Sequence, residues 1–295
     1  MFSTGTTYFL VIVIVYICVI WGALIPFRAG LLYNGTVYCM AIGGYFAGYM
    51  SKTFGWGFAA CVIGAMLIGT IFGFVPALGF SRTSGIVTAV SSMALIFIIQ
   101  SVLRNLLFLG GATGLVGIPK VPNLLQWSFI TLIILGVFLH RLNNSRIGRA
   151  LEAIQTDPQM AQSLGINTRN LTVLALTLSS AFAAVGGAIY AFNIRVLYPG
   201  TYSFSLLLNV MTMLFVGGRY TQWGPIISAP LLWSITIFMP RSVQRLSNYI
   251  YAGILILILM LRPEGIVTRS MLHKIKTFFS FLLDKAKRVD PSISH

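Results

Sequence analysis

The chain contains few charged residues. Asp, Glu, Lys and Arg together make up 8% of its 295 residues, whereas hydrophobic residues make up 57% and the mean hydropathy is +0.88. Soluble domains carry roughly 25% charged residues. The composition therefore excludes a soluble globular protein and predicts an integral membrane protein, whose backbone polar groups must be satisfied by helices within the lipid.

Acidic residues are especially scarce, and none of the five lies within a long apolar run. A proton-driven carrier usually needs an ionisable side chain inside the membrane, so this class is disfavoured. A sodium-coupled carrier remains open, because carbonyl and hydroxyl oxygens can form a cation site. The 20 basic residues are scattered between apolar runs, which argues against the basic face of a nucleic-acid-binding protein.

Motifs typical of enzymes and metalloproteins are also missing. Cys18, Cys39 and Cys61 lie in apolar runs away from His or acidic residues, a placement that indicates neither a disulfide nor a metal site. The three histidines are isolated from one another and from any nucleophile, so we expect no catalysis by this chain. No Gly-x-x-x-x-Gly-Lys-[Ser/Thr] stretch occurs. This chain is therefore expected to bind no cofactor, and any ATP must be bound by a partner.

Apolar windows predict about nine membrane-spanning helices. The second window is rich in Gly and Tyr and is also compatible with a broken or re-entrant helix. The predicted fold is an all-α, polytopic helical bundle of about eight to ten spans within a transmembrane domain of residues 1–268. The windows lie near residues 7–25, 31–50, 56–79, 85–104, 124–140, 171–192, 203–218, 224–240 and 248–262.

The distribution of basic residues predicts the orientation. With the N-terminus outside, fourteen of the 20 basic residues fall on the cytoplasmic side, as the positive-inside rule requires. Segment 141–170 and the C-terminus are then cytoplasmic. Residues 269–295 form a basic tail whose apolar stripe predicts an amphipathic helix on the inner leaflet. A frayed tail or a contact with a partner subunit is the alternative.

Within the cytoplasmic segment, the stretch "GRALEAIQTDPQMAQSLGIN" (148–167) predicts a short helix over residues 158–164. Asp157 is a good N-cap, Pro158 suits the first helical position, and Gly165 can adopt the left-handed conformation that ends a helix. So short a helix is unstable alone and needs packing. It either packs on its own bundle or docks on a partner through one apolar face, formed by Met160, Ala161 and Leu164.

The same stretch closely resembles the cytoplasmic coupling segment of the branched-chain amino-acid ABC transporter permease family. Three further stretches resemble that family in the same order: "GGATGLVGIP", "LFVGGRYTQWGPIISAPLL" and "LILMLRPEGI". The N-terminal quarter departs from the family pattern, because it reads "AGLLYNGTVYCMAIGGYFAGYM" in the second span. The resemblance implies that a short helix docks into a groove on an ATPase, with the coupling residues Glu152, Asp157, Pro158, Met160, Ala161, Leu164 and Gly165.

The resemblance further implies a permease subunit of an inner-membrane importer for branched-chain or related small amino acids. Its implied partners are two ATPase subunits that bind ATP, a second permease that is often a non-identical relative, and a periplasmic or lipid-anchored substrate-binding protein. Urea or short amides are alternative substrates. A sodium-coupled carrier or channel for a small polar solute is the alternative function, and a membrane-embedded transferase is a third.

Polar side chains inside the apolar windows are candidates for a substrate pathway. Asn34 and Asn209 are costly to bury in lipid, so we expect them to face a cavity or a neighbouring helix. Tyr38 belongs to a group of tyrosines in the second window, and Gln100 lies in the fourth. The alternative is structural: aromatic rings can pack in the core or at the interface, and serines of the same windows can bond to their own helix.

A weak internal similarity suggests an inverted repeat. "GGYFAGYMSKTFGWGFAACVIGAML" and "GGRYTQWGPIISAPLL" share a Gly-Gly pair, an aromatic residue, a Trp-Gly pair and a helix with small residues. The predicted topology places Trp56 outside and Trp223 inside, as an inverted repeat requires. Chance similarity of two glycine-rich segments is the alternative.

Overall fold

Long helices make up most of the chain in the computed structural model, which describes residues 4–218 and 221–238 and the single positions 250, 253, 256, 257 and 260. The helices are α1 (Thr4–Phe27), α2 (Thr36–Phe54), α3 (Phe58–Phe80), α4 (Gly85–Asn105), α5 (Leu124–Asn144), α6 (Arg146–Thr156), α7 (Pro158–Ser163), α8 (Thr168–Ile194), α9 (Phe204–Gly217) and α10 (Gly224–Phe238). The polytopic helical fold is confirmed.

Five helices of the described chain are long and apolar enough to cross a membrane, namely α1, α3, α4, α5 and α8. Helix α9 is also apolar but has only 14 residues. Each of the first eight predicted windows corresponds to a helix. The ninth window, 248–262, and the basic tail, 269–295, fall outside the stretches that the structure describes, apart from single positions.

The start of the second span was predicted too early. Residues 31–34 are not helical, and α2 begins at Thr36 as one unbroken helix. Gly30, with φ of 75°, adopts a left-handed conformation that diverts the chain after α1. We call residues 28–35 the α1–α2 turn. Its Tyr33 hydroxyl lies 3.2 Å from Ser180 Oγ, and Ser180 lies midway along α8. Helix α2 therefore starts deep inside the bundle.

Helix α8 is the centre of the bundle and packs against α1, α2 and α3. Glycines on these three helices permit the close approach. A Cβ added to Gly22, Gly43 or Gly69 would lie 2.8, 2.6 and 3.0 Å, respectively, from backbone atoms of α8. Helices in lipid associate through such close packing of small residues, because lipid supplies no hydrophobic drive between them.

The peripheral helices α3, α4 and α5 have a different environment. Large apolar side chains on their outer faces are exposed, including Ile71, Ile86 and Ile134. By contrast, α1 and α8 are mostly buried. The exposed faces are therefore available to lipid or to another membrane subunit.

Loops at the end opposite α6 and α7 form a small folded cap. We call it the outer cap, after the outside location that the charge distribution predicts for this end. Leu115 pairs with Leu197, and Val116 with Val196, in a two-stranded antiparallel ladder. Arg195 Nε donates to the carbonyl of Ile118 at 3.1 Å. The glycines of "GGATGLVGIP" all have positive φ, so this motif supplies backbone conformations that other residues adopt rarely.

The two segments of the suggested inverted repeat lie at opposite ends of the bundle. Trp56 follows α2 near the outer cap, whereas Trp223 precedes α10 at the end that contains α6 and α7. Their glycine pairs have different surroundings. Gly43 lies within α2 against α8, while Gly217 ends α9 and packs on Gly224.

The close packing of α2 on α8 predicts a difference between two matched substitutions. Gly43→Ala places a methyl group into the backbone of Ala184, whereas Gly79→Ala points into open space in the same bundle. We expect Gly43→Ala to destabilise the protein by about 1–3 kcal/mol, as overpacking does. Gly79→Ala should be neutral or stabilise by up to about 1 kcal/mol. Thermal melting in detergent measures both, and equal melting temperatures would contradict this account of the packing.

Candidate functional site

Helices α6 and α7 form a compact hairpin between α5 and α8, which we call the α6–α7 hairpin. Ser145 caps α6, because its Oγ accepts a hydrogen bond from the Gly148 amide at 3.2 Å. On the inward face of α6, Leu151 and Ile154 are buried. The hairpin is therefore packed against the end of the bundle and is not a loose loop.

Asp157 joins the two helices of the hairpin. It ends α6, and its Oδ1 accepts hydrogen bonds from the amides of Gln159 at 2.8 Å and Met160 at 3.0 Å. Pro158 occupies the first position of α7. Both placements confirm the predicted start of the short helix. Because one residue serves as the boundary of both helices, the angle between them is fixed by local hydrogen bonds.

The end of α7 is also fixed locally. Gly165 has φ of 79°, its amide donates to the Gln162 carbonyl at 2.9 Å, and the Ile166 amide donates to the Ala161 carbonyl at 3.1 Å. This pair of bonds is a Schellman motif, which satisfies the last carbonyls of a helix. The helix ends at Ser163, one residue before the predicted end, because Leu164 is already the capping residue.

The three residues that were predicted to form the apolar face of the short helix do not lie on one side. Ala161 is 2% exposed and packs inward, whereas Met160 is 63% exposed and Leu164 is 71% exposed. The prediction of a single apolar face was therefore wrong for Ala161. In an α-helix, side chains four positions apart lie on the same side, so Met160 and Leu164 share a side that Ala161 does not. Met160 and Leu164, which we call the Met160/Leu164 patch, do not pack on the described bundle.

Glu152 lies on a different side of the hairpin from this patch. Its Oε1 is 3.5 Å from Arg28 Nη1, and the neighbouring Gln155 donates from Nε2 to the Phe27 carbonyl at 3.2 Å. Glu152 therefore joins the hairpin to the end of α1. Sequence reasoning missed Arg28 and Gln155 as site residues, although an arginine directly after the first apolar run is an available signal in so charge-poor a chain.

Gln222 is a third residue that sequence reasoning missed. Its Nε2 lies 2.8 Å from His140 Nδ1, its Oε1 accepts from Asn143 Nδ2 at 2.9 Å, and its carbonyl accepts from Trp21 Nε1 at 2.8 Å. These bonds tie the segment between α9 and α10 to the same end of α5 and α1. No local pattern around Gln222 predicts partners so far away in sequence.

Two of the four candidate pathway residues lie close together. Asn34 donates from its backbone nitrogen to Ser92 Oγ at 3.1 Å and from its side-chain Nδ2 to the Ala89 carbonyl at 3.0 Å. The Tyr38 hydroxyl lies 2.7 Å from that of Tyr33, which in turn contacts Ser180. We call Tyr33, Tyr38 and Ser180 the hydroxyl cluster. It lies in the interior of the bundle, where α2 begins.

The other two candidates are elsewhere. Gln100 donates to the Pro199 carbonyl at 3.1 Å and ties α4 to the outer cap. Asn209 lies on α9, and its buried Oδ1 has no hydrogen-bond partner among the described residues. The structure therefore does not bring the four residues into one site. Ser179 Oγ and the Tyr202 hydroxyl are likewise buried without a partner in the described part of the chain.

Cavities open on the surface of the described part of the bundle, and two of them lie between its helices. One, of about 410 Å³, lies between α2, α3 and α4 and has an almost entirely apolar lining that includes Phe46, Phe72 and Leu103. It offers no charged groups to hold an ammonium or a carboxylate. The other, of about 460 Å³, lies between α3 and α8 and includes Arg169 and Asn170.

The described residues contain no cluster of side chains typical of a metal site. No three His, Cys, Asp or Glu side chains come together there as ligands. Cys18, Cys39 and Cys61 are buried free thiols.

Comparison with known proteins gives a consistent family match. The family described as branched-chain amino acid transport system, permease component, matches residues 5–261. The high-affinity branched-chain amino acid transport system permease protein LivM of Escherichia coli is 26% identical in an alignment of 303 positions, gaps included, that covers 90% of this chain and 71% of LivM. BraD of Pseudomonas aeruginosa, with the same printed description, is 30% identical over 149 residues, which cover 50% of this chain and 47% of BraD. No solved structure matches the chain.

The caps of α7 predict a local effect of substitutions at Asp157. Asp157→Ala removes the acceptor for the Gln159 and Met160 amides, a change that costs about 1 kcal/mol in helix caps. We expect hydrogen exchange in residues 158–166 to become about fivefold faster, the factor that corresponds to that energy. Asp157→Asn retains a side-chain acceptor and is the matched control. Equal exchange in the two variants, measured by mass spectrometry, would exclude the capping role.

Proposed function

Because the chain belongs to the branched-chain amino acid transport system permease family, we propose that it is the permease subunit of an ATP-binding-cassette importer in the inner membrane. In this proposal it carries branched-chain or related small amino acids. The relatives' printed names describe high-affinity branched-chain amino acid permease proteins. In the described part of the chain, five helices are long and apolar enough to cross a membrane.

The observation that carries the proposal is the exposed Met160/Leu164 patch on a rigid hairpin. Both side chains are more than half exposed, although the hairpin is fixed by caps at Ser145 and Asp157 and by the Schellman motif. Burying one such side chain contributes roughly 1.5–3 kcal/mol. The patch is therefore suited to dock into an apolar groove on an ATPase subunit, of which the complex contains two, each binding ATP.

The remaining surfaces suit the other proposed partners. The exposed faces of α3, α4 and α5 are available to lipid and to a second permease, a non-identical relative in this proposal. The outer cap lies at the opposite end of the bundle from the hairpin. A periplasmic or lipid-anchored substrate-binding protein would deliver the amino acid there. That protein would set most of the specificity.

The pathway is proposed to use uncharged polar groups. Asn34 and Tyr38 lie at the interior start of α2, and Asn209 contributes a buried oxygen without a partner in the described chain. The apolar cavity near Phe46 is unsuited to a zwitterion, because burying an unpaired charge is costly. We therefore place the amino-acid path along the polar groups near α2 and α9 and not in that cavity.

Reconstitution tests the proposed function. Proteoliposomes containing both permeases and the ATPase subunits, supplied with loaded binding protein, should take up leucine only when ATP is present on the ATPase side. Calorimetry of the binding protein with leucine, urea and short amides identifies the substrate class. Uptake driven by a sodium gradient in vesicles lacking the ATPase would overturn the proposal and favour a sodium-coupled carrier.

The hairpin has an exposed Leu164 and a buried Ala161, so substitution by aspartate should affect coupling at the first position and stability at the second. Leu164→Asp should leave the melting temperature of the isolated permease unchanged, because Leu164 is exposed. It should lower substrate-stimulated ATPase activity of the complex by about tenfold or more, because a loss of about 1.4 kcal/mol of docking free energy corresponds to a factor of ten. Ala161→Asp should instead lower the melting temperature, because it buries a charge. A lower melting temperature for Leu164→Asp with normal coupling would contradict docking by the patch.

A further inference from the structure

The α1–α2 turn contacts the α6–α7 hairpin at its start. Arg28 is the first residue of the turn, and its Nη1 is 3.5 Å from Glu152 Oε1. One residue earlier, the Phe27 carbonyl accepts the hydrogen bond from Gln155. Gly30 packs beside Gln155 with its backbone in the left-handed region. Two consecutive turns of α6 are thus held to one end of α1.

The same turn contacts the interior of the bundle at its other end. Tyr33 reaches Ser180 in the middle of α8, and Asn34 bonds to Ser92 and Ala89 on α4. The contact with the hairpin, at Arg28, and the contact within the hydroxyl cluster, at Tyr33, are therefore only five positions apart in the sequence. The turn is short enough to transmit a displacement of one end to the other.

The helices of the bundle and the α1–α2 turn are held by different forces. Helices α1, α2 and α8 are locked by backbone packing at glycines, which resists sliding. The turn is held to the hairpin by an ion pair whose Arg28 and Glu152 side chains are 10% and 36% exposed. Polar contacts of this kind can exchange partners without opening a cavity, whereas the packed helices cannot.

We propose that Arg28 and Glu152 are positioning residues that transmit movement of the α6–α7 hairpin to the α1–α2 turn, and through Tyr33 and Asn34 to the inner half of the pathway. This inference rests on the proposed function, in which an ATPase moves the hairpin. The hairpin moves as one body, because Asp157 fixes α7 to α6. Its displacement is passed on at Glu152 and Gln155, the hairpin residues bonded to the end of α1.

Charge exchange in the assembled complex tests this link. Proteoliposomes with both permeases, the ATPases and leucine-loaded binding protein are prepared with Arg28→Glu, with Glu152→Arg and with both changes. We expect each single reversal to lower leucine uptake per ATP hydrolysed by roughly fivefold or more, in the range of measured coupling effects. The double exchange should restore the ratio to within about twofold, because it re-forms an opposite-charge pair.

Arg82→Glu is the matched control. Arg82 is an exposed arginine in the turn between α3 and α4, at the same end of the bundle as the hairpin. Its reversal should leave the ratio unchanged. Melting temperature and subunit assembly are measured on every variant, because a purely structural role of the pair would change these and not the ratio among assembled complexes.

The ratio of leucine uptake to ATP hydrolysed in these variants decides whether the inference holds. Single reversals that keep the normal ratio, or a double exchange no better than the singles, would overturn the inference. Where a reversal prevents assembly, Glu152→Gln is used instead, since it keeps the size and removes the charge: a lowered ratio supports the link, and an unchanged ratio refutes it. Failure of the proposed function is distinguishable, because the unaltered complex would then show no ATP-dependent uptake.

Discussion

The backbone contact between α8 and the helices around it is the constraint on which the rest of the structure depends. Lipid supplies no hydrophobic drive between helices, so the bundle is held by close packing that only small residues allow. Gly22, Gly43 and Gly69 bring three helices against α8, and α8 contributes fully buried alanines and two buried glycines. This packing fixes the depth at which α2 starts, and with it the position of the hydroxyl cluster.

In a bundle packed in this way, few segments can move without a large cost in free energy. A packed helix cannot slide without opening a cavity, whose cost rises with its volume. The segments held mainly by polar contacts are different, because hydrogen bonds and ion pairs can re-form with new partners or with water. In the described chain, one group of such contacts lies at the end of the bundle that contains the α6–α7 hairpin. These contacts join the hairpin to the end of α1 and the α1–α2 turn, and they join the segment around Gln222 to α1 and α5. Under the proposed function, that is the end where an ATPase would act.

Local features of this end were predictable from sequence, and long-range ones were not. The caps at Asp157 and Gly165 depend on residues within four positions, so the sequence predicted both. The helical windows were predicted to within a few residues because apolar length sets them. The inward position of Ala161 depends on how the hairpin lies on the bundle. The partner of Glu152 is 124 residues away. The late start of α2 is accompanied by the contact of Tyr33 with Ser180 of α8, 147 residues away, which no periodicity encodes.

The position of the charged residues bears on how a transporter of this kind is powered. No acidic residue lies within the described spans, and Glu152 and Asp157 are both part of the α6–α7 hairpin. A proton relay through the bundle therefore has no carboxylate to use in the described chain. The sequence also contains no Gly-x-x-x-x-Gly-Lys-[Ser/Thr] stretch. Under the proposed function, the energy of ATP enters through a contact with an ATPase subunit. The proposed function assigns that contact to the Met160/Leu164 patch. The patch is apolar and exposed on a hairpin whose own contacts are satisfied, so docking there can add binding energy without first breaking the fold.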